Sequence, residues 1–231
     1  MADASRRTSS PEVEDALMYL PRKIVTDYRR RQIIFMENQP ARELHLVVRG
    51  RVIVAVPQED GSQTLVDIFS PDDFFGESAL LGSAWHSERA IALDQVGLMS
   101  WTAAEINEQV ERQPRLGIAL LQMLVKRAIE YEDRLQNFAL NKTPERVASA
   151  VLRFAERTGD RAEDGSLRVP PLTHQLISEY VGTSREIVTF HMNQLRQKGL
   201  VRYSRRGMQV YPGALQEHLN LILNPGKLSH P

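Results

Sequence analysis

Apolar and polar positions change their period along this chain. From residue 22 to about residue 102 the apolar positions fall in short β-branched runs: KIVTDY, QIIFM, LHLVV, RVIVAV, TLVDIF, RAIAL and VGLMSW. Turn signals separate them, among them Glu37-Asn38-Gln39-Pro40, Arg49-Gly50, Glu59-Asp60-Gly61-Ser62 and Ser70-Pro71-Asp72-Asp73. Short strands at this spacing predict an antiparallel barrel or roll. Ahead of them, Ser10 and Pro11 suit the cap and first position of a short helix over residues 11–20.

A helical period follows over residues 114–138. Gly117, Leu121, Leu124, Ala128, Tyr131, Leu135 and Phe138 recur at alternating spacings of four and three, the seam of a coiled coil. Leu116, Leu120 and Met123 form a second apolar stripe. The expectation is that one stripe packs on the roll and the other pairs with a second copy of the chain. Thr143 and Pro144 then suit the cap and first position of a further helix over residues 145–158, burying Val147, Val151, Leu152 and Phe154 or Ala155. Arg168, Val169 and Pro170 fit a short strand, and the apolar tail after Pro212 can cap this end of the chain.

Residues 173–207 carry the most information. Leu176, Ile177, Tyr180 and Val181 give one short helix an apolar face, and Gly182 supplies a tight turn. Thr183 and Glu186 read as a T-x-x-E capping box that starts a second helix at about Ser184. Its expected buried face is Ile187, Val188, Met192 and Leu195. Arg185, Glu186, Thr189, Phe190, Asn193 and Arg196 point outward. Arg can pair bidentately with guanine and Glu can accept from cytosine, so such a helix suits the DNA major groove. Residues 200–203 and 208–211 read as the strands of a hairpin around Ser204-Arg205-Arg206-Gly207.

Charge supports this. The net charge is zero, yet from Glu145 onward there are 12 Lys and Arg against 8 Asp and Glu, net +4, leaving net −4 before it. Positive charge is concentrated where DNA phosphates would be met. The absence of cysteine excludes disulfides, Cys-ligated clusters, zinc fingers and thiol nucleophiles. The six histidines show no metal-ligand spacing, and His45 alone on a strand fits packing better than haem ligation. No apolar run reaches the roughly 20 residues of a membrane span, and residues 1–17 lack the apolar stretch of a signal peptide, so a cytoplasmic protein is expected. No P-loop, H-E-x-x-H or G-x-S-x-G motif suggests an enzyme.

Two motifs give the chain a family resemblance. Phe74-Phe75-Gly76-Glu77-Ser78-Ala79-Leu80-Leu81 followed by Arg89-Ala90 is similar to a phosphate-binding cassette. Val181-Gly182-Thr183-Ser184-Arg185-Glu186-Ile187-Val188 is similar to the opening V-G-x-S-R-E-x-V of a recognition helix. In this order and at this distance they resemble the Crp/Fnr family of bacterial transcription regulators, over about residues 20–212. The resemblance implies an α+β chain. Residues 1–20 are an N-terminal tail and short helix, 21–112 a cyclic-nucleotide-binding-like β-roll, 113–140 a dimerisation helix, and 141–231 a winged helix-turn-helix. It also implies a homodimer on a palindromic double-stranded operator, contact with RNA polymerase, and a cyclic nucleotide (cAMP or cGMP) or another small effector in the roll.

In a cassette of this kind turn amides, an Arg and a hydroxyl hold the cyclic phosphate, and a Glu takes the ribose hydroxyl. That assigns Gly76, Glu77, Ser78, Ala79 and Arg89 to the effector. Ala90 departs from the pattern because it stands where the hydroxyl residue belongs. One charge-assisted hydrogen bond is thereby lost, worth roughly 1.5–3 kcal/mol. Tyr131 and Glu132 replace the adjacent Thr and Ser with which cAMP-responsive members read adenine. Trp85 and His86 lie in the cassette loop, where they can close over a ligand or carry no role. The open alternative is that Glu77 and Arg89 pair with each other and the cassette binds nothing. On the DNA side, Ser184, Arg185, Glu186, Thr189, Phe190 and His191 are the candidate readers. Thr173, His174, Arg205 and Arg206 are candidate phosphate contacts. Related activators carry a second Arg where Phe190 stands, so the half-site should depart from the TGTGA type there, Phe190 suiting a thymine methyl. A constitutive regulator of the same fold, and a ligand-binding module without DNA readout, stay open beside the effector-controlled regulator.

Overall fold

The computed structural model describes residues 14–82, 84–204 and 207–223. Ser10 and Pro11, the expected helix start, and Arg205 and Arg206 of the hairpin tip lie outside the described residues. Within them the first helical piece is a single 3-10 turn, Ala16–Met18, capped by the Asp15 side chain on the Leu17 N–H.

Each of the seven apolar runs forms a strand. They are β1 (Thr26–Tyr28), β2 (Ile33–Phe35), β3 (Glu43–Arg49), β4 (Val52–Pro57), β5 (Gln63–Phe69) and, after the two-residue β6 (Phe74–Phe75), β7 (Arg89–Ala92) and β8 (Val96–Thr102). They build two antiparallel four-stranded sheets, ordered β1-β8-β3-β6 and β2-β7-β4-β5. The sheets face each other over Phe35, Val47, Val52, Val54, Phe69, Phe75, Ala90, Ala92, Val96 and Leu98. Strand alternation turns the intervening positions the other way. Leu44 and Leu46 of β3 meet Trp101, Ile106 and Leu116 under the helices. Ile53 and Ala55 of β4, with Leu65 and Ile68 of β5, face the C-terminal half.

α1 (Ala103–Arg112) was not expected from the apolar period, although its start is written as Thr102-Ala103-Ala104-Glu105. Thr102 accepts from the Glu105 N–H and Glu105 accepts from the Thr102 N–H, a complete capping box. α2 (Arg115–Leu140) runs 26 residues, about 39 Å at 1.5 Å each. Only Leu116, Ala119 and Leu120 of it are fully buried. α3 (Thr143–Thr158) starts one residue earlier than expected, with Lys142 at the cap and no side-chain cap bond. It buries Val147, Val151, Leu152 and both Phe154 and Ala155.

The rest is a winged helix-turn-helix. β9 (Asp160–Arg161), β10 (Leu167–Val169), α4 (His174–Val181), α5 (Arg185–Gln197), β11 (Val201–Ser204), β12 (Gly207–Val210) and α6 (Pro212–Leu223) follow in order. The wing sheet runs β11-β12-β10-β9, with Ser204 paired to Gly207 at the hairpin end. α6 caps the unit through Leu215 and Leu219. Gly182, in the left-handed region at φ 69°, makes the turn between α4 and α5. A Cβ there would sit 3.0 Å from the Phe138 ring, so the turn rests on the end of α2.

Candidate DNA interface and candidate effector site

α5 is capped by Ser184, whose hydroxyl accepts from the Ile187 N–H at 3.3 Å; the expected Thr183 cap is corrected by one residue. Ser184 takes the extended conformation a cap requires (φ −81°, ψ 155°), and Arg185 is the first helical residue. Val188, Met192 and Leu195 are buried as expected. Ile187 is not: it is 43% exposed and shares the outer face with Arg185, Glu186 and Phe190, the last 59% exposed. Its own backbone N–H and the Ser184 hydroxyl hold the Glu186 carboxyl below the ordinary range, so it is an anion at neutral pH. His191 is half-buried and paired with Gln194 at 3.1 Å.

Of the candidate phosphate contacts, the two among the described residues, Thr173 and His174, are engaged within the protein. The Thr173 hydroxyl caps α4 by accepting from the Leu176 N–H at 3.1 Å. His174 uses both ring nitrogens, Nδ1 to Thr189 Oγ1 at 2.8 Å and Nε2 to the Tyr203 hydroxyl at 2.9 Å. Tyr203 was no candidate; a lone tyrosine in an edge strand gave the sequence reading no signal.

In the roll, Gly76 adopts φ 80° and opens a 3-10 turn, Glu77–Leu81. A Cβ at Gly76 would lie 3.0 Å from the Glu43 carbonyl and 3.1 Å from His45, so only glycine fits. A left-handed residue followed by right-handed ones turns successive N–H groups toward one concavity, the geometry of an anion nest. Glu77 and Arg89 do not pair with each other. Arg89 makes a bidentate bond to Glu37, at 2.7 and 3.1 Å. Glu77 lies 2.7 Å from Nη1 of Arg127 on α2. That nitrogen has no acceptor in hydrogen-bond alignment, so the pair is held by charge. Arg127 also donates to the Phe74 carbonyl and lies over the Phe69 ring.

Backbone bonds explain how Glu37 reaches Arg89. Asn38 N–H donates to the His86 carbonyl, His86 N–H to the Gln39 carbonyl and Ala41 N–H to the Ala84 carbonyl, each at 2.9 Å. The β2–β3 turn is thus sewn to the cassette loop. The loop also sends His86 inward, where it stacks on Phe35 at 3.7 Å and lies 3.4 Å from the Ser78 hydroxyl. Trp85 stays 63% exposed. His45 packs between Phe35 and Phe75 and bonds Ser100 at 2.7 Å. Burial and the neighbouring His86 push it down to about 4, so it is neutral. Ala79 is buried in the turn, and Ala90 is buried between Phe35 and Val54 of the neighbouring strands with no hydroxyl to offer.

α2 carries the remaining candidates. Tyr131 is half-buried near Arg127 and Glu77, its phenol pushed up to about 12 by burial. Glu132 is exposed on the opposite stripe with Leu121, Ala128 and Leu135. Leu124 is half-buried, and the exposed apolar stripe takes in Ile118, Val125 and Ile129 as well. Phe138, at its end, lies against the Gly182 turn and under the Arg146 guanidinium.

A β-roll with a nest-like turn, joined by a long helix to a winged helix-turn-helix, defines a ligand-binding-type transcription regulator. The family model for the cyclic nucleotide-binding domain matches residues 25–113, and that for the Crp-like helix-turn-helix domain matches residues 145–217. The chain belongs to the Crp/Fnr family of transcription regulators. It is 27% identical over 185 residues to the CRP-like cAMP-activated global transcriptional regulator of Mycobacterium tuberculosis, covering 80% of this chain and 82% of that one. It is 26% identical over 198 residues to the global nitrogen regulator of a Synechocystis species, covering 84% and 88%. FixK2 from Bradyrhizobium japonicum shares the fold, with a TM-score of 0.72 at 23% identity over 84% of this chain and 97% of that chain. These relatives are regulators rather than enzymes. Among the described residues no helix is long and apolar enough to cross a membrane.

Proposed function

We propose that the chain works as a homodimer that recognises a palindromic operator through α5 and is controlled by a small effector held in the roll. In this reading residues 21–112 take the effector, 113–140 pair the two copies and 141–231 read DNA, in the cytoplasm and in contact with RNA polymerase. The observation that carries it is the exposed apolar stripe of α2, with Leu121, Val125 and Leu135 each at least 50% exposed. A 26-residue helix with three fully buried side chains is poorly supported alone and suits a second copy. Pairing along it supplies two recognition helices for half-sites about one DNA turn apart.

Arg185 at the first turn of α5 is the guanine reader, with Glu186 on cytosine and the exposed Phe190 and Ile187 offering apolar surface to thymine methyls. The effector class is an anion that the Gly76 turn and Arg89 hold together, a cyclic nucleotide being the nearest fit. The relatives' names divide between cAMP and nitrogen control. The Glu37–Arg89 pair favours a second reading, in which the cassette is self-occupied and DNA binding needs no effector. Selection of bound sites from random duplexes, followed by operator titration with cAMP, with cGMP and with neither, separates the two. No selected site would sink the regulator reading, and equal affinity in all three titrations would leave the effector-independent form.

A further inference from the structure

His174, the first residue of α4, joins three elements that meet DNA in the operator reading. Its Nδ1 faces Thr189 of the recognition helix at 2.8 Å and its Nε2 faces Tyr203 of wing strand β11 at 2.9 Å. The His174 and Tyr203 rings also meet edge to face, with centroids 6.0 Å apart.

The protons in this chain of bonds can be assigned. The Thr189 hydroxyl donates its one hydrogen to the carbonyl of Arg185, four residues back, at 2.8 Å. Toward His174, Thr189 therefore accepts, and Nδ1 carries the proton. Burial, and then the nearby Arg185 charge, lower the His174 pKa, so the ring is neutral at pH 7. A neutral ring with its proton on Nδ1 leaves Nε2 as an acceptor. Tyr203 must donate to it, and burial pushes this phenol up to about 12, so its hydrogen stays in place. A single direction results: Tyr203 to His174, His174 to Thr189, and Thr189 to the backbone of Arg185.

We propose that Tyr203, His174 and Thr189 form a positioning relay that holds the wing and the recognition helix at one relative setting, so that backbone contact by the wing places Arg185 on the base edges. The three are positioning residues for operator readout, His174 and Thr189 acting through their partners rather than by touching DNA. The inference rests on the operator-binding reading. Phosphate contacts orient a protein on the duplex while base contacts specify sequence, so a rigid link between the two converts docking into readout.

Two measurements test it. In protein labelled with 15N-histidine, His174 is expected as the Nδ1–H tautomer in the wild type, turning to Nε2–H in Thr189→Val, where the acceptor is gone. On a selected operator, Tyr203→Phe and Thr189→Val should each lose roughly three- to tenfold in affinity, the weight of one hydrogen bond. Affinity for an unrelated duplex should hold, and the double variant should be no worse than the weaker single, because both break one chain. Thr189→Ser keeps the hydroxyl and should bind as the wild type does. An Nε2–H wild type, additive losses, or a Thr189→Ser as weak as Thr189→Val would overturn the relay, the last by pointing to a direct methyl contact with DNA. A wild type that selects no sequence, whatever the variants do, fails the operator reading and takes the readout role with it.

Discussion

The Asp67 carboxylate on β5 lies 2.6 Å from the Arg157 guanidinium on α3, a bond between the roll and the DNA-binding half of the chain. Asp67 is buried, and the same oxygen accepts from Arg153 at 3.0 Å. Asp73 and Glu130 complete the cluster around the two arginines. Arg134 of α2 ties the same strand to α4, donating to the carbonyls of Leu65, Val66 and Tyr180 while lying over the Tyr180 ring. Ile53, Leu65 and Ile68 of the roll share one apolar cluster with Val151, Phe154 and Tyr180. In this arrangement the roll and the helix-turn-helix are one packed body, so any reorientation between them must first break the Asp67 cluster.

Removing Asp67 should therefore be costly. Asp67→Ala removes the most buried anion of the cluster and leaves Arg153 to Glu130 and Arg157 to Asp73, so the loss should be about 1–3 kcal/mol, below that of a buried charge left with no partner. Calorimetry should show a lower melting temperature and a transition that splits in two as the halves uncouple. A single transition at the wild-type temperature would contradict this account of the junction.

Arg185→Ala should weaken a selected operator by roughly ten- to a hundredfold, the discrimination of one bidentate contact, and flatten the preference at one base pair. If Arg185 met only phosphate, all sequences would weaken alike and the salt slope would fall by about one. Phe190→Arg should restore a guanine preference at the position it faces. Site selection with each variant reads both outcomes.

Much of this was legible in the sequence, and the failures have physical causes. The seven β-branched runs are the seven longer strands of the roll, because alternation and turn residues are local signals. The helix-turn-helix followed from Gly182 and from apolar spacing. Thr183 looked like the cap because T-x-x-E is a common start, but Ser184 sits where the chain is extended and the Ile187 N–H is in reach. On α2, Leu124 and Tyr131 fit a heptad as well as Val125 and Ile129 do, and only the position of the roll decides which of them stay exposed. Arg89 and Glu77 stand in a recognisable motif, but the residues they pair with, Glu37 and Arg127, lie 52 and 50 positions away and carry none.

The Glu37 carboxylate lies where an anion would meet Arg89. Glu37→Gln should free that guanidinium, and cAMP or cGMP affinity measured by calorimetry should rise by about tenfold or more, the weight of one charge-assisted pair. Arg89→Gln should abolish binding. If Glu37→Gln leaves affinity unchanged while Arg89→Gln removes it, Glu37 is no competitor.

Leu121→Glu with Leu135→Glu places acidic groups on the exposed stripe of α2. Sedimentation should then report the mass of one chain. Operator affinity should fall by roughly a hundredfold or more, because two half-site contacts are no longer linked. A double variant that stays dimeric would move the interface to another face.

Burial of His45 predicts an acid-sensitive roll. Its folded pKa is about 4, below the ordinary 6.5, because burial and then the neighbouring His86 disfavour its charge. Above pH 6.5 it is neutral in both folded and unfolded chains and stability is unaffected. As pH falls from there toward 4 the unfolded chain takes up a proton that the folded one refuses, so stability is lost across that window. The loss between about pH 7 and pH 5 is about 2 kcal/mol. His45→Asn has no such titration. Whatever packing it gives up at neutral pH, its denaturation midpoint should fall less steeply between these pH values than that of the wild type. Parallel pH slopes for the two proteins would show that His45 is not the group responsible.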